Sequence, residues 1–81
     1  PHVLIDVREP DEHASVHISG ARLLPLARLL AEPVLGPPAG PVVTYCRTGQ
    51  RSQRAAAALR TRGYDARSLA GGIEHWLRTV P

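Results

Sequence analysis

The 81-residue chain contains no lysine, no phenylalanine and no methionine, and it has one cysteine and one tryptophan. Without lysine, all ten basic side chains are arginine, so the net charge of +3 sits on planar, permanently ionised guanidinium groups that favour anionic partners. The charge is modest, acidic residues are interspersed, and no basic stripe with stacking aromatics is present, so a nucleic-acid partner is not expected. A single cysteine excludes an internal disulfide, and nothing around it has the Cys/His spacing of a metal cluster. Cys46 is therefore either small buried filler or a reactive thiol, and no metal or cofactor is expected. No charged-then-apolar leader and no bilayer-length apolar run occurs, so no membrane partner is expected and the expected setting is a reducing, cytoplasmic one. With no Phe or Met, the core has to be built from Ala, Leu, Val and Ile. Eighty-one residues leave room for one such core, so residues 1–81 are read as one domain with a thin margin of stability.

Several segments define elements. Val3-Leu4-Ile5-Asp6-Val7 is short, apolar and rich in β-branched residues, as expected of a strand buried on both faces of a parallel sheet. Pro10, with Asp11 and Glu12 beside it, suits the first turn of a helix running to about Val16. Ala21 to Leu24 reads as a second short strand, and Leu26 to Glu32 as one or two amphipathic turns. Gly36-Pro37-Pro38-Ala39-Gly40-Pro41 can continue neither helix nor ladder and is read as a connection. Val42-Val43-Thr44-Tyr45 is the clearest strand. After it, Gln53 to Arg60 carries four consecutive alanines and then Leu59, which predicts a helix with Ser52 as N-cap and Gly63 as its stop. Asp65 to Leu69 is a last strand, Gly71-Gly72 a turn, and Ile73 to Arg78 a closing helix with Ile73, Trp76 and Leu77 on its core face. His2, His13 and His75 lack a partner at metal-binding spacing and are read as surface residues. The alternation of strands and helices predicts an α/β fold, a small and mostly parallel sheet with helices on both faces.

Cys46 stands where the clearest strand meets the best helix. Ligands of open α/β sheets bind outside the carboxyl ends of the strands, and a helix N-terminus there favours an anion. Flanked by Arg47 and Arg51, the thiol is in a setting that stabilises a thiolate. If Gly49 lets the backbone curl, the N–H groups from Arg47 to Ser52 form an anion-binding nest over Cys46. Arg47 and Arg51 are candidates to hold an anionic donor. Asp6 and Arg8, at the end of the first strand, either line the pocket or brace the loop as a pair.

The run Cys46-Arg47-Thr48-Gly49-Gln50-Arg51-Ser52 resembles the active-site loop of rhodanese (thiosulfate sulfurtransferase-like) domains. Asp6-Val7-Arg8-Glu9, Glu12 and His17-Ile18-Ser19-Gly20-Ala21 are similar to that family's entry segment, and Leu69-Ala70-Gly71-Gly72-Ile73 with Trp76 to its closing segment. The resemblance implies a rhodanese-like fold whose first strand and helix are lacking. It also implies a sulfurtransferase that moves sulfane sulfur through a Cys46 persulfide, with Arg47, Thr48, Gly49, Gln50, Arg51 and Ser52 forming the substrate loop. The implied partners are thiosulfate or a persulfide as donor, a thiol or cyanide as acceptor, and a fused or separate protein acceptor. An alternative is a sulfur-relay or regulatory module of a larger protein. The sequence departs from the family pattern at His13, Val16 and Ser19, where an aromatic, a glycine and a proline are common. Cysteine phosphatases, some of which share the fold, place five residues between cysteine and arginine so that the ring grips a tetrahedral oxyanion. Four separate Cys46 from Arg51, and Ser52 stands where the phosphatase arginine would be.

Overall fold

The structure, a computed structural model, describes residues 2–31, 36 and 40–79. Four strands, β1 (Val3–Asp6), β2 (Arg22–Leu23), β3 (Val42–Tyr45) and β4 (Ala66–Ser68), alternate with four helices, α1 (Pro10–Ser15), α2 (Leu26–Ala31), α3 (Gln50–Thr61) and α4 (Gly72–Thr79). All neighbouring strands are parallel, in the order β2-β1-β3-β4. The register sets Ile5 beside Thr44 and Asp6 beside Tyr45 on the two central strands. The chain steps outward from β1 to β2, then returns to lay β3 on the opposite side of β1. That reversal is a topological switch point, and it places the carboxyl ends of β1 and β3 next to each other.

Strand alternation divides the core in two. Ile5, Val7, Val42 and Cys46 pack with Leu29 of α2 and with Ala55, Ala56 and Leu59 of α3. Leu4 and Tyr45 point the other way, onto Ile18, Ile73 and a half-buried Trp76. Both faces of the sheet are thus covered, as the alternating pattern predicts. Alanines are used where α3 lies closest: Ala55 and Ala56 are almost wholly buried, and small side chains allow the helix to sit directly on β3 and β4.

Some boundaries differ from expectation. Helix α3 starts at Gln50, with Gly49 and not Ser52 at the N-cap position. Gly49 has φ +124°, a conformation that L side chains rarely adopt, and this turns the chain into the helix three residues early. On α4, Ile73 is buried but Leu77 is 47% exposed. The first turn of α4 is tied to the end of β3 by Ile73 N–H donating to Cys46 O at 2.9 Å. One turn later Trp76 still packs on the cluster of Ile18, Tyr45 and Ile73, and Leu77 does not. Strands 2 and 4 are shorter than read, although Leu69 N–H still donates to Thr44 O at 2.8 Å. The expected end of α2 at Glu32, and residues 37–39 of the connection, lie outside the described residues. Among the described residues no helix is long and apolar enough to cross a membrane.

Candidate active site

Cys46 follows β3 immediately, at the switch point, and is 1% exposed. Three groups meet its Sγ. Gly49 N–H donates to it at 3.1 Å, Ser52 N–H at 3.4 Å, and the Ser52 hydroxyl lies at 3.5 Å. Burial by itself pushes the thiol pKa up. The Ser52 hydroxyl, the Ser52 and Gly49 N–H groups and the Thr48 N–H outweigh it, so Cys46 is held below the usual thiol value. The curled loop expected from Gly49 is present, and its N–H groups converge on the sulfur itself.

Ser52 is fully buried in the first turn of α3. Its hydroxyl lies 3.1 Å from Gly49 O and 2.6 Å from the Ser68 hydroxyl on β4. Its carbonyl accepts the Thr44 hydroxyl at 2.8 Å. The side chain is therefore turned toward the sulfur and does not cap the helix. Serine propensity suggested the cap; the tertiary contacts claim the hydroxyl for another use.

The two arginines of the loop are both ion-paired. Arg47 is exposed, and its guanidinium donates to Glu74 of α4 at 2.6 Å. Arg51 sets both terminal nitrogens on Glu12 of α1, at 2.7 and 3.0 Å. That fork is the chief reason the Glu12 carboxyl is lowered to about 2. Each arginine faces a carboxylate, while the groups that reach the Cys46 sulfur are the loop N–H groups and the Ser52 hydroxyl. Thr48 and Gln50 expose their side chains at the rim, while Gly49 is buried beneath them.

Asp6 and Arg8 form a buried brace. Arg8 Nε and a terminal nitrogen donate to the two Asp6 carboxylate oxygens at 2.9 and 2.8 Å, and the Arg8 N–H adds a third bond at 3.0 Å. The same terminal nitrogen reaches Val16 O at 2.6 Å, pinning the end of α1. Tyr45 donates its hydroxyl to Asp6 at 3.2 Å and accepts the Ile18 N–H at 3.1 Å. Burial raises the Asp6 pKa, and the bonds from Arg8 and His13 bring it below its ordinary value. Asp6 and Arg8 thus form a buried pair that holds the end of α1 against β1. His13, expected at the surface, has its Nδ1 2.8 Å from Asp6 Oδ2, because α1 folds back over the end of β1.

Sequence reasoning missed four contributors: Glu12, Glu74, Ser68 and the tight approach at Gly72. A Cβ on Gly72 would lie 2.5 Å from Arg47 O and 2.6 Å from Cys46 O, with φ at +62°. Only glycine lets α4 start against the back of the cysteine loop, where Ile73 and Glu74 N–H groups donate to the Cys46 and Arg47 carbonyls. The Gly-Gly pair was legible as a turn; which carbonyls it approaches was not.

The model of the rhodanese-like domain matches residues 1–79. The chain belongs to the rhodanese-like domain family. The chain is 44% identical over 80 residues to the probable adenylyltransferase/sulfurtransferase MoeZ of Mycobacterium tuberculosis, covering 95% of the chain but only 20% of that protein. The thiosulfate sulfurtransferase GlpE of Pseudomonas fluorescens is 40% identical over 80 residues, covering 98% of the chain and 73% of that protein. The human single-domain sulfurtransferase TSTD1 superposes with a TM-score of 0.88 at 29% identity, over 99% of the chain and 84% of its own. The rhodanese-like assignment agrees with the four-stranded parallel sheet and with the cysteine at the end of β3.

Proposed function

We propose that this rhodanese-like domain is a sulfurtransferase that carries sulfane sulfur on Cys46 as a persulfide. The observation supporting it most directly is the cradle of Gly49 N–H, Ser52 N–H and Ser52 hydroxyl around a buried Sγ held below the usual thiol pKa. A thiolate so held attacks the outer sulfur of thiosulfate. The donor S–S bond breaks, sulfite leaves with the bonding pair, and Cys46 keeps a terminal, anionic sulfur. Cyanide or an acceptor thiolate then attacks that sulfur and releases the Cys46 thiolate. Atoms and charge balance in both steps without a proton transfer.

The Gln50 and Arg51 N–H groups open α3 and have no carbonyl one turn back within the helix. They are suited to receive the terminal sulfur of the persulfide, with the positive end of the helix dipole behind them. Arg47, Thr48, Gln50 and Arg51 form the rim through which a donor enters, while Gly49 and Ser52 line the floor. The ring is short for a tetrahedral oxyanion, and Ser52 puts a hydroxyl where a phosphatase would put its arginine. A persulfide-forming thiol suits a reducing, cytoplasmic setting.

The test is steady-state transfer from thiosulfate to cyanide. Parallel double-reciprocal lines, and loss of turnover in Cys46→Ala, are expected for a covalent sulfur intermediate. Intersecting lines, or turnover that survives Cys46→Ala, would rule the mechanism out. A second reading, a relay domain within a longer protein, is favoured by MoeZ, of which the matched region is only 20%. Under it the acceptor is a protein group, and cyanide turnover is slow while persulfide formation is intact.

A further inference from the structure

Ser52 Oγ has one proton and three neighbours: Cys46 Sγ at 3.5 Å, Gly49 O at 3.1 Å and Ser68 Oγ at 2.6 Å. A thiolate and a carbonyl can only accept, so Ser68 is the one neighbour able to donate to the Ser52 oxygen. We infer that Ser68 is a positioning residue for the Cys46 thiolate: its hydroxyl donates to Ser52 Oγ and so turns the Ser52 proton onto Sγ. Gly49 O is not stranded in that arrangement, because it also accepts the Gln53 N–H at 3.0 Å. When Cys46 is protonated the chain reverses. The S–H then points at Ser52 Oγ, and the Ser52 proton turns to Gly49 O or to Ser68.

The sheet makes this relay possible. Thr44 and Ser68 are register partners on β3 and β4, two residues before the cysteine on one strand and at the end of the other. The Thr44 hydroxyl holds the Ser52 carbonyl, so the first turn of α3 is tied to β3 with the Ser52 hydroxyl beside Ser68 of β4. Two hydroxyls in series polarise one another, so the outer one strengthens the bond the inner one makes to sulfur.

The inference rests on the use of Cys46 as a thiolate but not on the cargo being sulfur. Its test is the rate of iodoacetamide alkylation against pH, measured beside thiosulfate turnover. Ser68→Ala should raise the alkylation midpoint by about half a pH unit, the scale of one hydrogen bond. In a Ser52→Ala background the same change should add nothing. The isosteric pair Ser68→Thr and Ser68→Val, which differ only in the hydroxyl, should split in the same sense, with Thr close to wild type. An unshifted midpoint in Ser68→Ala, an equal shift with and without Ser52, or no difference between Thr and Val would each overturn it. Midpoints ordered as expected in a protein without thiosulfate turnover would sink the sulfurtransferase reading and leave Ser68 its role.

Discussion

Tyr45 and Cys46 are consecutive and point to opposite faces of the sheet, one joining the Asp6–Arg8 brace and the other lying under the Gly49 loop. Tyr45→Phe removes the acceptor of a buried Ile18 N–H and one donor to Asp6. The cost should be about 1 to 2 kcal/mol in a urea titration, because an unpaired interior amide forfeits its hydration. The alkylation midpoint of Cys46 should not move, since the brace lies on the other face. A stability loss accompanied by a shifted midpoint would mean that the two faces are coupled. At this scale Cys46 and the curl at Gly49 were legible from their order after a strong strand, whereas Ser52 read as a helix cap and its turn toward the sulfur was not legible. The partners of Arg47 and Arg51 were not, because Glu74 and Glu12 lie 27 and 39 residues away and no local pattern links them. His13 was misread for a similar reason: its partner is the carboxylate at the end of the preceding strand.

Among the elements, β1 and β3 were readable because a buried parallel strand leaves an uninterrupted apolar run, and both were located to within a residue. The start of α3 was missed because a glycine at φ +124° turns the chain into the helix without any capping side chain. Two glycines now separate two kinds of strain. At Gly49 a Cβ meets nothing within 4 Å, so Gly49→Ala should cost only the backbone strain, about 1 to 2 kcal/mol, with the loop opening at the sulfur. At Gly72 the same Cβ meets the carbonyls of Cys46 and Arg47 as well as an unfavourable φ, so Gly72→Ala should be the more destabilising, by about 2 kcal/mol or more. Equilibrium unfolding of both variants is the check. Equal losses would show that the approach of α4 to the cysteine loop relaxes freely.

For the whole molecule, the parallel sheet with its switch point between β1 and β3 brings α1, α3 and α4 to one end, where Glu12 and Glu74 meet the two arginines around Cys46. The ionisable groups there give stability a definite pH profile. Asp6 and Glu12 are held below their ordinary 3.8 and 4.5, so their contribution is complete above about pH 4.5 and is lost as the pH falls below it, the Glu12 share toward about 2. Cys46 acts in a second window. It is held below its ordinary 9.0, so the folded state binds fewer protons than the unfolded one in the range just below that value. The stability of wild type relative to Cys46→Ala should therefore rise with pH up to about 9 and level off beyond it, as urea midpoints would report. A difference that does not change with pH would mean that the sulfur is not held as a thiolate. Uptake of sulfane sulfur by Cys46 is read out by intact mass after incubation with thiosulfate. The wild type should gain one sulfur atom and lose it to a reducing thiol, and Cys46→Ala should gain none; an unchanged wild-type mass, or the same gain without the cysteine, would mean that Cys46 does not carry sulfur.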